Sequence, residues 1–263
     1  MMNVNPGISE PGNLVKPARS AIGLILGGCA VMFLILQGGL TWLTGKIDAT
    51  WLALLVTAVM LVTAIICERW LFRLNTGQAL LALGYGRPNP RAILAAVIIT
   101  CLMLAFFPVF TLVTGIPISL KSDWLWILLS IVVLNGLGEE TLFRGYVFGN
   151  LRKVGFSFTR AGFISMVIFA AVHLFLFVQN PFIVGLLGTL VAVAAAFPMA
   201  YLFERGHNTI WAPVLLHVAA HAIRLADIPD ASYMTAVIVW LVLQLAIPFL
   251  VFALRSNLLK PQV

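Results

Sequence analysis

Long apolar runs broken by short polar clusters dominate the chain. A membrane-spanning helix needs about 20 mostly apolar residues. Eight segments meet or approach that length: Ala21–Thr44, Trp51–Cys67, Ala92–Val113, Trp124–Leu151, Ala161–Phe177, Ile183–Phe203, Trp211–Ile223 and Tyr233–Leu254. The seventh is short for a span. None shows the period-2 alternation of a barrel strand. The interruptions are turn-formers: Gly84, Gly86, Pro88 and Pro90, then Gly115 and Pro117, Asn180 and Pro181, and Asp227, Pro229 and Asp230. Trp42, Trp51, Trp124, Trp211 and Tyr233 stand near predicted helix ends, where aromatic belts lie. The pattern predicts an all-α, polytopic integral membrane protein with about eight transmembrane helices.

Composition agrees. Apolar residues make up 62% of the chain and charged residues 10%, against about 45–50% and about 25% in soluble domains. The mean hydropathy of +1.06 leaves too few polar side chains to cover a water-exposed surface. An ordinary soluble enzyme, a disordered chain and a nucleic-acid binder are excluded. The net charge of +7 is unevenly spread. The N-terminal tail, every second connection after it and the C-terminal tail hold thirteen Lys and Arg with their flanks. The alternate connections hold three, Lys46, Lys121 and Arg224. The positive-inside rule then puts both termini in the cytoplasm. Without an organelle targeting signal, the expected location is a prokaryotic inner membrane.

The chain divides into a polar cytoplasmic tail (1–20), two N-terminal helices with a loop (21–90), a core (91–225), and a last helix with its tail (226–263). Lys16 and Arg19 before an apolar run imitate a signal peptide, but the run is too long and reads as a retained first helix. Leu26-Gly-Gly-Cys29 imitates a lipoprotein box, yet apolar residues continue well past it. Cys29, Cys67 and Cys101 form no disulfide framework and read as core or lipid-facing thiols.

An ionisable residue inside a spanning helix costs roughly 2.5–3.5 kcal/mol and usually faces a protein interior or water-filled cavity. Three places qualify. Glu139 and Glu140 could mark a helix end, but the apolar pattern continues to Leu151. In an α-helix Glu140 pairs with Arg144 at i,i+4, while Glu139 points about 100° away and stays free for proton transfer. His173 is a lone imidazole among apolar residues, a pattern that also suits a packing residue. His217 and His221, at i,i+4, share one helix face and suit interhelical hydrogen bonds, metal ligation or catalytic donation. His207 reads as a solvated loop residue. At about 1.5 Å per residue the three helices bring these groups to a similar depth, expected nearer the cytoplasmic side.

At these residues the chain resembles the CPBP family, the CAAX-processing and bacteriocin-processing (Abi) intramembrane proteases, and within it the type 2 CAAX prenyl protease-like enzymes. The motif Glu-Glu-x-x-x-Arg falls on Glu139, Glu140 and Arg144. Phe-x-x-x-His falls on Phe169 and His173. The late His-x-x-x-Asn falls on His217, with His221 in the Asn place. The resemblance covers about residues 90–225. It implies an intramembrane endopeptidase in which Glu139 and His173 activate a water, while His217 and His221 stabilise the oxyanion.

A carboxylate with an imidazole suffices for general-base hydrolysis, so no cofactor is required. Three histidines and a glutamate could equally hold zinc with an open water position, although no His-Glu-x-x-His helix is present. A non-catalytic immunity or scaffold protein of the same fold and a proton-coupled transporter are the competing classes. A single cluster at one depth suits hydrolysis better than a transmembrane proton path. The expected partners are a peptide or protein substrate, entering from the membrane or the cytoplasmic side, and the lipid bilayer; no nucleic acid is expected.

Overall fold

The computed structural model describes residues 19–254. The reading of the first 18 residues as tail, and the charges Lys16, Arg255 and Lys260, lie outside the described residues. Seven helices among the described residues are long and apolar enough to cross a membrane: Ala21–Leu43, Ala49–Phe72, Pro90–Thr114, Trp124–Lys153, Phe158–Gln179, Phe182–Arg205 and Asp230–Ala253. The eighth expected segment, seventh in chain order, is a ten-residue helix, Trp211–Ala220, extended by a 3-10 turn over Ala222–Leu225. The protein is therefore an all-α integral membrane protein. Its outer surface agrees: Trp70, Leu112 and Val178 are each at least 85% exposed, and many further large apolar side chains face outward, as they would toward lipid.

Ten residues of α-helix cover only about 15 Å, about half a hydrocarbon core. The short segment nevertheless runs from one end of the bundle to the other. At its start, the Ile210 N–H donates to the Gly84 carbonyl (3.0 Å) and Trp211 Nε1 donates to the Gly86 carbonyl (2.8 Å). Those carbonyls lie between the second and third spans. At its finish, Ala226–Asp227 pairs antiparallel with Ser119–Leu120, between the third and fourth spans. The third span separates the two connections, so the seventh segment crosses as well.

Caps mark several helix starts. Asn89 accepts from the Arg91 N–H ahead of the third span, with Pro90 in the first turn. Ser157 accepts from the Arg160 N–H ahead of the fifth. Asn75 and Gln78 close a capping box on a short helix, Thr76–Ala82, that lies between the second and third spans.

The fourth span departs from α geometry where its chemistry lies. It is α-helical over Trp124–Ser130, π-helical over Ile131–Glu139 and Thr141–Phe148, and α-helical again over Gly149–Lys153. Short π segments cluster at functional sites. Glycine lets neighbours approach: a Cβ on Gly145 would lie 2.3 Å from the Leu83 carbonyl oxygen. The fifth span is continuous only to His173, where a turn precedes Leu176–Gln179.

Polar ties close one end of the bundle. Asn150 Nδ2 donates to Glu68 Oε1 (2.6 Å), Lys153 pairs with Glu68 Oε2 (3.3 Å), and Arg152 pairs with Glu204 (3.0 Å). Every residue from Glu140 to Leu151 is buried. Of the thiols, Cys29 is buried and Cys101 exposed, all three being free.

Candidate active site

Three helices bring their polar groups together around Glu139. Glu139 and Glu140 come from the fourth span, His173 from the end of the fifth helix, and His217 from the short seventh segment. His221 caps that segment. A cavity of about 370 Å³ is lined by Glu139, His173, His217 and His221 together with mostly apolar side chains.

Glu140 is sealed from it. Its side chain is 0% exposed, and one oxygen, Oε1, meets both Arg144 Nη1 at 3.0 Å and His217 Nδ1 at 2.5 Å. The i,i+4 ion pair expected from sequence thus forms even on a π-type helix. Glu139 points elsewhere and keeps 13% of its side chain exposed. Asn135 Nδ2 donates to Glu139 Oε1 (2.7 Å), and Arg224 Nη1 donates to Asn135 Oδ1 (3.1 Å). His217 Nε2 lies 3.7 Å from Glu139 Oε2. Arg144, Glu140, His217 and Glu139 therefore form one polar line, with Asn135 and Arg224 behind Glu139.

The hydrogen bonds assign the imidazole protons. His173 Nδ1 lies 2.7 Å from the Phe169 carbonyl, which can only accept. Nδ1 carries the proton, so the neutral ring leaves a bare Nε2. His217 Nδ1 likewise faces a carboxylate, so its neutral form has a bare Nε2 toward Glu139. A donor at that nitrogen requires the imidazolium form. His221 stacks on His217, with centroids 5.3 Å apart and an 18° interplanar angle.

All six residues singled out by sequence are thus placed around one site, with Glu139 and the three histidines on the cavity wall and Glu140 and Arg144 behind them. His207, at φ 63°, is an exposed turn residue, as expected. Asn135 and Arg224 escaped the sequence reading; the i,i+4 spacing of Asn135 and Glu139 was the available signal. Among the described residues, no group of three or more His, Cys, Asp and Glu side chains is disposed to hold a metal ion.

The cluster lies partway along the spans, and its cavity runs toward one end of the bundle. Glu139 lies halfway along the fourth span, and His173 ends its helix far from the Phe158 end. The cavity wall continues through Asn180, Arg224 and Tyr233, all at the end opposite the Glu68, Arg152 and Glu204 ties. The cluster faces away from the cationic end. Helix-rise counting from that end gave depth but not the direction of opening.

A carboxylate and imidazoles around a cavity inside a polytopic helical bundle suit general-base hydrolysis within a membrane. Residues 121–223 match the family model described as type II CAAX prenyl endopeptidase, Rce1-like. That match bears out the resemblance read from the motifs and supports a protease acting on peptide or protein substrates in a membrane. No curated protein and no solved structure matches the chain.

Proposed function

We propose that this protein is a glutamic-type intramembrane endopeptidase. The observation that carries the reading is the division of labour between adjacent carboxylates. Glu140 is neutralised by Arg144 and holds His217, while Glu139 is aimed at the cavity that His173 also lines. In the proposed reaction, Glu139, assisted by the bare Nε2 of His173, takes a proton from water as its oxygen attacks the peptide carbonyl carbon. His221, and His217 in its imidazolium form, stabilise the oxyanion. The carbon–nitrogen bond then breaks, and the proton passes from Glu139 to the leaving amine. The products are a carboxylate and an amine.

What supports a metal-independent site is the spread of the donors: among the described residues no group of three or more His, Cys, Asp and Glu side chains is disposed to hold a metal ion. We place the protein in a prokaryotic inner membrane with both termini cytoplasmic, on the charge distribution. The test uses the purified full chain and a quenched fluorescent peptide library. The parent is expected to cleave library members with or without a chelator. Glu139→Gln should lower the rate at least about 100-fold, the lower end of general-base contributions. An unchanged rate in that variant, or activity restored only by added zinc, sinks the mechanism.

A further inference from the structure

The cavity and the charges mark opposite ends of the molecule. Beyond Glu139, the cavity wall runs through Val184 at the start of the sixth span, Arg224 at the close of the seventh segment, and Tyr233 at the start of the last. These residues sit at the end that carries the Ser119–Leu120 and Ala226–Asp227 strand pair. The other end is closed: Glu140 to Leu151 are buried without interruption, and ionic ties join the ends of the second, fourth and sixth spans.

Among the described residues, Arg69, Arg73, Arg87, Arg91, Arg152, Lys153, Arg160 and Arg205 lie at the closed end, against Lys46, Lys121 and Arg224 at the open one. Arg144 belongs to neither, being buried on Glu140. The imbalance holds among the described residues alone and puts the closed end in the cytoplasm.

We infer that the site is entered from the non-cytoplasmic side, and that its substrate is a segment of an exported or membrane-anchored polypeptide presented there. This rests on the peptidase reading above. A protein held in the cytoplasm would meet the closed end, where packed side chains separate it from Glu139. A segment already translocated, or a transmembrane helix unwinding at its outer end, reaches the cavity mouth directly. The apolar wall suits such a segment, and Glu139 stands about midway along the fourth span.

The test is an access measurement that needs no catalysis. Val184→Cys and Tyr233→Cys are introduced singly into the full chain, with the parent chain as the blank for Cys29, Cys67 and Cys101. Arg87→Cys marks the closed end. A membrane-impermeant maleimide is applied to spheroplasts and to inverted membrane vesicles. Val184→Cys and Tyr233→Cys are expected to label several-fold above the parent in spheroplasts, and Arg87→Cys only in inverted vesicles. Labelling of both cavity positions only in inverted vesicles, or in neither preparation, overturns the inference. A peptide cleaved by the purified chain should also be cleaved when added outside sealed spheroplasts; cleavage only by inverted vesicles overturns it too. If the labels fall as expected but Glu139→Gln cleaves like the parent, the peptidase reading and its substrate fall, while the side of entry stands.

Discussion

Phe169 serves the site through three parts of itself. Its carbonyl fixes the His173 proton on Nδ1, its ring face lies 4.7 Å from the Arg144 guanidinium carbon, and its ring meets His217 edge-on at 6.1 Å. The four-residue spacing of Phe169 and His173 also has a physical cause in the side chains: one helical turn sets the Phe169 ring edge-on to the imidazole, with centroids 4.5 Å apart. Spacing made the acid and imidazole set readable from sequence, because each motif is a one-turn contact within one helix. Arg224 was not readable. It reaches the site across helices, and a cation near a helix end ordinarily reads as a loop charge. Asn135 acts through Glu139, so it is a positioning residue. Asn135→Ala should lower kcat about 10- to 100-fold, in keeping with roughly 1.5–3 kcal/mol for a hydrogen bond to a charged group. KM should change little, because Asn135 reaches the reaction only through Glu139; an unchanged kcat removes the role. His221 stands where the family pattern has Asn. An imidazole N–H and an amide N–H can both donate, so His221→Asn should retain most activity. His221→Ala should cost roughly 2.7–4 kcal/mol, a loss of about 100- to 1000-fold. Rates for both variants on one peptide decide this, and an inactive His221→Asn contradicts donation.

Helix existence follows from apolar run length, and the observed spans match the expected ones to within about five residues at each end. Two internal features were not legible. The π-type stretch in the fourth span depends on what packs against it, since Gly136 meets Val214 and Val218 of the seventh segment and Gly138 meets Met60 and Thr57 of the second span. The turn after His173 has no glycine or proline to announce it. Packing at Gly145 gives a direct check. Adding a methyl there forces the Leu83 backbone to move, and overpacking costs typically about 1–3 kcal/mol. Gly145→Ala should lower the melting temperature in detergent, whereas Gly27→Ala, with nothing within 4 Å of its Cβ, should leave it close to the parent. Equal melting temperatures for the two would mean that the approach of Leu83 is not structural.

Across the whole molecule, the ties made by the seventh segment agree with the alternation of connections read from Lys and Arg. The alternation was legible because each cation reports on its own connection. The way the cavity opens was not, because it depends on which loops pack shut over the bundle. Both termini cytoplasmic predicts that single cysteines at Lys46, Lys121, Gln179 and Asp227 label from outside. Labelling of any two from the cytoplasm would refute the layout.

The two-residue strand pair has a further consequence. The Lys121 N–H donates to the Leu225 carbonyl at 3.0 Å, so the stretch that matches the family model, 121–223, leaves and returns at almost the same point. A stretch whose ends are neighbours can be handled as a cassette. It can be lifted between flanking helices of different origin without rerouting the chain, and its two ends can be ligated while new termini are opened elsewhere. The first three spans and the last then act as a cradle, free to diverge wherever their inward faces still fit.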